Sequence, residues 1–501
     1  MKKLLKLTIT TAIILTMLFA STICAFGGAA ANEVKVQLNG ENFAFTNAGA
    51  KIVNGKAMVP FRQLFEALDS TVTYDPATKT VSAKTADSEI VFAEGSTDVK
   101  VVQKGVESIK TIDAAPFIDA ATRSAYVPAR FFADILGYCV GWDAEEKTVI
   151  LIDPDELFGT ADEDFSIIMK LFNTGLDYEQ AYKTRGSFDI NVFVYETAES
   201  SLSGKDVSIK GKLSGIQQKS DADLTMSFSV DTEKLMDMIQ PEEAYSMAPL
   251  LALLKNIEMD MKMDGESGTV YMHSDIFRLI DPEAAEDVWY KMNVYEPYEQ
   301  MGIDIKALSR LGYSKADLSE LLTMAISSPG VMDISTYGDM KAAYALAKNL
   351  IGDEAFRTKT AGNIKTHTLK IDKNAIYSAL IRTAISEEFP DGFSELGDLV
   401  GLADLANLTL NLTITEKGNA LDTYRFNGNL SIEGINCSIN TAGDKLNTDV
   451  QMTLDMKDVM KIDVKAKSHM TKSSKAPDLN LPSGATVLDY AQMGPEAGGA
   501  I

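Results

Sequence analysis

A duplication near the start of the chain is the feature that most constrains its fold. Val59-Pro60-Phe61-Arg62 recurs 68 residues later as Val127-Pro128-Ala129-Arg130. Residues 57–81 align with residues 125–149 without a gap, and ten of these 25 positions are identical. The identical pairs are Ala57/Ala125, Val59/Val127, Pro60/Pro128, Arg62/Arg130, Leu68/Leu136, Val72/Val140, Asp75/Asp143, Lys79/Lys147, Thr80/Thr148 and Val81/Val149. An internal repeat reuses one structural unit, so both segments are predicted to fold alike.

Each copy predicts a strand, a helix and a hairpin. Pro60 and Pro128 suit the first turn of a helix, where a missing N–H is no loss. Apolar residues then follow at helical spacing, and Gly137 suits a helix end. These apolar residues are Phe61, Leu64, Phe65 and Leu68 in the first copy and Ala129, Phe132, Ala133 and Leu136 in the second. Short strands at 72–74 and 80–83, and at 140–142 and 148–152, enclose turns that begin with Asp75 and Asp143.

The first 31 residues have the pattern of a secretory signal peptide. Lysines at positions 2, 3 and 6 precede an apolar run over 7–19, and Ala29-Ala30-Ala31 offers small residues for cleavage. Lipidation at Cys24 is a disfavoured alternative, because the residue before it is not small. No later stretch has the ~18 apolar residues that a membrane-spanning helix needs. The protein is therefore predicted to be secreted or extracellular, associated with the cell surface at most.

Charge and cysteine content limit the partners and the covalent links. The chain has 47 Lys and Arg against 71 Asp and Glu, and its formal net charge is −24. This acidity argues against nucleic acid and anionic lipid headgroups as partners. Cys139 and Cys437 fall in different predicted domains, so buried free thiols are favoured over a disulfide.

The rest of the chain predicts a large antiparallel sheet with helices. From Gly186 onward, apolar residues alternate with polar ones through 188–194, 207–213, 224–230, 257–263 and 270–272, and again from 364 to 466. Helices are predicted at 164–182, 247–254, 314–324, 340–351 and 374–385. The predicted domains are therefore the duplicated domain over 32–153 and a sheet domain over 164–470. A loosely ordered tail follows over 471–501. The predicted fold class is α+β, with the small duplicated domain followed by a curved antiparallel half-barrel.

The repeat resembles the copper amine oxidase N-terminal-type domain of secreted Firmicutes proteins. The resemblance covers about 32–153 and includes a short strand with Asn-Gly at 39–40 and 54–55, the V-P-x-R motifs, an apolar helix ending in Leu-Gly, a V-x-Tyr/Trp-Asp strand and a Lys-Thr-Val strand. Asp69 departs from it, since the second copy has Gly137 there. In the oxidases this region is a stalk outside the catalytic part, so the resemblance implies a surface module. The strand and helix order of the second region resembles, more weakly, the half-barrel of LolA/LppX-like lipoprotein carriers, which wraps an apolar groove.

Oxidase chemistry itself is not expected. A copper amine oxidase needs three copper-binding histidines and a tyrosine within Asn-Tyr-Asp/Glu. The chain contains only His273, His367 and His469, without a short metal-site spacing, and no such tyrosine phrase. No phosphate-binding glycine loop, nucleophile elbow or zinc-protease motif is present either. The chain is therefore predicted to be no enzyme, with no cofactor, no metal site and no catalytic residue.

Two sets of residues have both a structural and a functional interpretation. Arg62 and Arg130 occupy matched places in the two copies, and we expect structural bonds to backbone groups or to Asp75 and Asp143. The alternating Met259, Met261 and Met263 are predicted to pack in a core, although methionines also suit a groove for acyl chains.

Two functions from different classes follow. The first is an exported, non-enzymatic binding or scaffold protein of the bacterial cell envelope, with the repeat domain as a stalk and the half-barrel as receptor for a cell-wall or lipid-like ligand. The alternative is a cell-wall hydrolase that uses a carboxylate pair such as Glu242-Glu243 or Glu387-Glu388.

Overall fold

The computed structural model describes residues 34–85, 88–103, 105–144, 146–196, 204–236, 248, 250–279, 287–300, 317–327, 337–385 and 407–490. They form an α+β protein with two compact units. The first, here called the repeat unit, comprises the described chain up to Ala161 together with Ser319–Tyr344. The second, the sheet unit, comprises Asp162–Leu318 and the described chain from Ala345 onward. The predicted signal peptide lies outside the described residues.

The repeat unit contains three sheets with the strand orders β12-β13-β1-β2, β10-β11-β4-β3 and β5-β6-β7-β8-β9. The strands are β1 (Lys35–Leu38), β2 (Glu41–Asn42), β3 (Lys51–Val53), β4 (Lys56–Pro60), β5 (Thr71–Asp75), β6 (Thr80–Lys84), β7 (Ser88–Ala93), β8 (Asp98–Gln103), β9 (Val106–Thr111), β10 (Phe117–Ile118), β11 (Ala125–Pro128), β12 (Cys139–Asp143) and β13 (Thr148–Ile152). Its helical elements are α1 (Phe61–Ala67), a π-helix (Phe132–Leu136) and α2 (Pro154–Phe158), and α3 (Ala161–Asp164) leads into the sheet unit. Each copy is thus a strand, a helix and a hairpin, as predicted.

The two copies pair with each other through a local two-fold relation. Strands β4 and β11 are antiparallel, and Val59 lies opposite Val127, its own counterpart in the repeat. Both valines are fully buried. A pseudo-two-fold axis therefore passes between these strands, as the axis of a symmetric dimer passes between identical patches.

Side chains beside this axis are large in one copy and small in the other. Phe61 and Phe65 of the first copy stand where the second copy has Ala129 and Ala133. Both phenylalanines are buried, and the ring of Phe61 lies 5.7 Å from that of Phe131 of the second copy. Two bulky rings related by the axis would compete for one space, whereas a large and a small side chain fill it at normal density. The repeat is therefore symmetric in backbone and complementary in its core.

Backbone conformation is also repeated, and it explains the departure at Asp69. Asp69 has φ 55°, and its counterpart Gly137 has φ 79°. Both follow the end of a helix, where a left-handed residue commonly closes the last turn. Asp enters this conformation more readily than most residues with a side chain, so the position keeps its function in both copies. Asn39-Gly40 and Asn54-Gly55 are left-handed at both positions, as the tightest hairpin turns require.

Two local predictions for the repeat are wrong. Pro60 and Pro128 end strands β4 and β11 instead of lying in the first helical turn, and Pro60 has an extended ψ of 118°. The proline ring fixes φ but leaves ψ to the surroundings, and here pairing between β4 and β11 sets it. In the second copy the helix begins only at Phe132 and is of the π type. Its smaller Ala129 and Ala133 offer less apolar surface to hold a regular helix against the core.

The sheet unit contains one sheet of 14 strands in the order β20-β21-β22-β23-β24-β25-β26-β14-β15-β16-β17-β18-β19-β27. The strands are β14 (Tyr182–Val194), β15 (Asp206–Gln218), β16 (Asp221–Val230), β17 (Ile257–Asp264), β18 (Thr269–Ser274), β19 (Val288–Asn293), β20 (Arg357–Ala361), β21 (Ile364–Asp372), β22 (Asn407–Lys417), β23 (Ala420–Ile432), β24 (Ile435–Gly443), β25 (Asn447–Met456), β26 (Met460–Lys472) and β27 (Thr486–Asp489). Every pairing is antiparallel except that of β19 with β27. The predicted α+β class with a large antiparallel sheet is confirmed.

The remaining helices in chain order are α4 (Ser166–Met169), α5 (Thr232–Met236), α6 (Glu296–Gln300), α7 (Leu318–Ile326), α8 (Tyr337–Ile351) and α9 (Lys373–Ala384), with 3₁₀ turns at Asp275–Leu279 and Asp353–Ala355. Of these, α7 and the first half of α8 belong to the repeat unit. Residues 250–254 are also helical. Helix α9 contacts β21 and β22, and buries Ala379 and Leu380. Of the helices among the described residues, none is long and apolar enough to cross a bilayer.

Two predictions for this region are corrected. The helix expected over 164–182 is replaced by the short α3 and α4, with turns up to Tyr182, where β14 begins. The tail expected to be loosely ordered from 471 contains β27, which pairs in parallel with β19. Its Val487 and Leu488 remain exposed, so the strand is held by backbone bonds that a search for buried apolar residues does not detect. The first three residues of the helix predicted over 314–324 lie outside the described residues.

Candidate functional site

The central strands of the large sheet carry aligned rows of apolar side chains on one face, here called the apolar face. The alternation within each strand directs these residues to one side, and the strand register brings them into line. The first row crosses six strands and consists of Ile439, Met452, Val464, Ile190, Ile209 and Val230. The second crosses five and consists of Cys437, Leu454, Ile462, Val192 and Val207. With strands about 4.8 Å apart, the first row spans roughly 24 Å.

All eleven side chains in these rows are only half-buried. A sheet that packs against a conventional core buries such residues almost completely. Near one edge of the sheet the apolar face is buried in this way, since Ile371 and Leu412 are only 5% and 7% exposed. Its central part therefore retains apolar surface that water reaches, and extended surface of this kind is typical of a binding site.

A close contact between neighbouring strands shapes the next row of this face. The ring of Phe188 lies over Gly211 of the adjacent strand, and a Cβ atom on Gly211 would be 2.2 Å from the ring. Phe188 pairs with Gly211 across the ladder, and Phe228 follows on the far side. The glycine thus lets the ring lie directly against the neighbouring strand.

From the sequence, the methionines on β17 were expected to pack in a core, with a groove for acyl chains as the alternative. Met259 packs on the cluster formed by Phe277, Val288 and Tyr290, as predicted for a core residue. Met261 and Met263 are half-buried. The packing prediction is therefore confirmed for Met259.

The three histidines lie apart. His367, His469 and His273 are on β21, β26 and β18, so five strand intervals, or roughly 24 Å, separate each from the next along the sheet. His367 is in register with Ile414 of the apolar face, whereas His469 and His273 alternate to the opposite face. Three histidines must lie within a few ångströms to share a copper ion. Among the described residues, no group of three or more His, Cys, Asp or Glu side chains is placed to hold a metal.

A buried polar cluster surrounds His367, and sequence reasoning missed it. Nε2 of His367 lies 2.6 Å from Oε1 of Glu416, and Nδ1 lies 2.8 Å from Oγ1 of Thr358. Nζ of Lys170 is 3.5 Å from the same Glu416 oxygen. His367 and Glu416 are 4% and 3% exposed. Glu416 stands at the end of the alternating run Leu408–Leu410–Leu412–Ile414, and an acid in an apolar column was the available signal. Paired and buried, the cluster is built to hold the sheet edge together.

Of the two arginines of the duplication, Arg62 makes the expected bond to the backbone. The guanidinium of Arg62 donates to the carbonyl of Val72 at 3.2 Å and lies 3.6 Å from Glu66, with about half of each side chain exposed. The expected backbone bond is present, while Asp75 instead accepts from the backbone N–H of Ala77 and the hydroxyl of Thr78. These two bonds lower the pKa of Asp75 below its ordinary value. Arg130 is exposed and has no such bond to a described residue.

Both cysteines among the described residues, Cys139 and Cys437, are free thiols. Cys139 is buried, as predicted, and its Sγ lies 3.1 Å from Oγ of Ser327. Burial raises the pKa of the Cys139 thiol, which makes it a poor nucleophile. Cys437 is half-buried, so the prediction of a buried thiol is wrong there. The paired carboxylates at 242–243 and 387–388 lie outside the described residues.

Comparison with protein families and curated proteins bears on the repeat alone. Residues 37–151 match the model of the copper amine oxidase N-terminal domain. The match covers the two copies and the strands between them, and it confirms the resemblance drawn from the V-P-x-R phrases. No curated protein matches the chain. The sheet unit thus lies beyond the matched residues, and its function has to be argued from its geometry.

Proposed function

We propose that this is an exported, non-enzymatic binding protein of the cell envelope, whose repeat unit is a stalk and whose apolar face holds the acyl chains of an envelope lipid. The observation that carries the proposal is the half-burial of all eleven side chains in the two apolar rows. The match of residues 37–151 to a domain that precedes the catalytic part of an oxidase supports the stalk.

The chemistry of the apolar face favours an acyl chain. Strands β14, β15, β25 and β26 each pair on both sides, so their backbone donors and acceptors are already used. A peptide that adds to a sheet needs free edge groups, and these strands provide none. The rows offer dispersion contacts and burial instead. Met452 adds a flexible, polarizable side chain that adapts to chains of different length.

Two measurements test the proposal. Mass spectrometry of an organic extract of the purified protein should find co-purified lipid. A dansyl-labelled fatty acid should bind with micromolar affinity and quench Trp fluorescence. The quenching should be weaker in a Met452→Glu variant, because an acyl chain on the face would have to bury the new carboxylate. Gln451→Glu is the matched control, since it adds the same charge at the adjacent position of the strand, whose side chain is exposed on the opposite face.

Folding defects are separated from loss of binding by a second variant. Ile190→Trp keeps an apolar side chain on the face and reports directly on its environment. Brominated fatty acids should quench this tryptophan in the folded protein. Absence of quenching, together with lipid-free extracts, would refute the proposal, and turnover of peptidoglycan by the same preparation would favour the hydrolase alternative.

A further inference from the structure

The opposite face of the same central strands carries a cluster of cationic side chains in a strongly acidic protein. The side chains that alternate to this face are Arg185 on β14, Lys210 and Lys212 on β15, and Lys465 and Lys467 on β26. All five are exposed. We call this set the cationic groove. The chain as a whole has a net charge of −24, so the local charge is opposite to the global one.

The cationic groove is concave. Two adjoining depressions of about 440 and 540 Å³, both wide open to solvent, lie along it, and both are lined by Ser187, Lys212 and Lys467. Arg185 lines one depression, and Lys210 and Lys465 line the other. The carboxylates lining the two depressions are Asp189 and Asp449. Five cationic groups therefore face two anionic ones within a continuous depression.

The neighbouring carboxylates leave most of this positive charge available. Nζ of Lys467 is 3.0 Å from Asp449, and Nζ of Lys210 is 3.9 Å from Asp189, but both lysines are about 70% exposed. Ion pairs at such exposure are weak. Among the described residues, Lys212 has no carboxylate partner within salt-bridge distance, and neither has Lys465.

The spacing of the amines fits a polymer with repeated charges. Lys465 and Lys467 are two residues apart on one strand, as are Lys210 and Lys212, which gives about 7 Å along each strand. Strand β14 separates the two pairs, which gives about 10 Å across. Hydroxyl groups of Ser187, Ser227 and Ser229 line the same depression. Amines interleaved with hydroxyl donors suit phosphate groups, whose several oxygens accept from both.

We propose that the cationic groove binds a linear polyanion with repeated phosphate groups. Because the Debye length is about 10 Å at 0.1 M salt, the acidic remainder of the surface is screened from a polymer already seated in the groove. The groove and the apolar face lie on opposite sides of the sheet, so this site stands or falls independently of acyl-chain binding.

The test measures the binding of inorganic polyphosphate to the full-length protein by isothermal titration calorimetry at 50 and 200 mM NaCl. The double variant Lys212→Thr/Lys465→Thr should bind about 10–30-fold more weakly and show a shallower salt dependence, because two phosphate contacts are lost. The control Lys359→Thr/Lys365→Thr removes the same charge from exposed positions on β20 and β21 and should bind as the wild type does.

Further probes fix the chemical class. Poly(glycerol phosphate) should also bind, and its affinity relative to polyphosphate tells whether an envelope polymer or free polyphosphate is preferred. Poly-glutamate should bind at least about tenfold more weakly. No polyphosphate binding at 50 mM salt, equal weakening in the control variant, or equal affinity for poly-glutamate would each overturn the proposal. Acyl-chain binding should be unchanged in both double variants.

Discussion

The buried pair of His367 and Glu416 should be strongly coupled in stability. The two side chains touch at 2.6 Å and are 4% and 3% exposed. Glu416 also faces Nζ of Lys170 at 3.5 Å. Replacing one partner leaves the other buried without its bond, whereas replacing both removes the unsatisfied groups together. The perturbations are therefore Glu416→Leu, His367→Leu and the double variant.

The expected losses of stability follow from the buried polar groups that each substitution leaves without a partner. Glu416→Leu leaves His367 without its acceptor and Lys170 without its counter-charge, which costs about 3–5 kcal/mol. The buried leucine returns about 1 kcal/mol through its apolar surface, so a net loss of roughly 2–4 kcal/mol is expected. His367→Leu should cost about 1–3 kcal/mol, because Lys170 still faces the remaining carboxylate. The double variant should lose less than the sum by at least about 1.5 kcal/mol.

The chain provides a clean reporter for this measurement. Its two tryptophans are Trp142 in the repeat unit and Trp289 in the sheet unit. In a Trp142→Phe background, fluorescence during urea unfolding at pH 7 follows the buried Trp289 and hence the unit that contains the pair. Glu258→Leu, at an exposed position on β17, is the control and should change stability by less than about 0.5 kcal/mol.

Additive losses would refute this reasoning. If the double variant equals the sum of the singles within about 0.5 kcal/mol, the two side chains do not stabilise the fold through their mutual contact. A loss below about 1 kcal/mol for Glu416→Leu would show that the carboxylate is hydrated in solution.

Three further predictions concern the repeat and the thiols. Phe61→Ala should lower the free energy of unfolding of the repeat unit by about 3–5 kcal/mol, measured by Trp142 fluorescence in urea, because its second-copy counterpart is already alanine and cannot fill the cavity. In a Cys24→Ser background, a thiol reagent should label half-buried Cys437 quickly and buried Cys139 only on unfolding; equal rates would contradict the described burial. The ammonium of a lysine and two backbone N–H groups hold the pKa of Asp119 well below its ordinary value of 3.8. Its stabilising contribution is therefore complete above that value and declines as the pH falls from it toward the lower pKa of the folded state, so the difference in urea midpoint between wild type and Asp119→Asn should be smaller at pH 2 than at pH 6.

Local rules predicted much of the secondary structure. Alternation of apolar and polar residues placed β14 to β18 and β21 to β26, because a half-buried strand shows its pairing face in its own sequence. The turns predicted to begin at Asp75 and Asp143 follow β5 and β12, because Asp favours the start of a turn. The duplication predicted two like units, since equal sequences have equal local preferences.

Local rules failed where distant partners set the conformation. The ψ of Pro60 follows from the pairing of β4 with β11. Strand β27 is short and exposed, so its sequence carries no alternation signal. The cluster around His367 joins residues from four separate segments, and no spacing along the chain announces it.

By itself, the sequence determined the repeat, the class of fold and the domain family of residues 37–151. It also determined that the three histidines lack the short spacing of a metal site. Each of these depends only on residue identity and short-range spacing. Only the tertiary structure decided that Val59 faces Val127 across a pseudo-two-fold axis. It also decided that rows from six strands align into one half-buried apolar face, and that five cations gather behind that face in an acidic chain. Cross-strand register produces all three, and it depends on pairings between residues up to hundreds of positions apart, which local pattern does not encode.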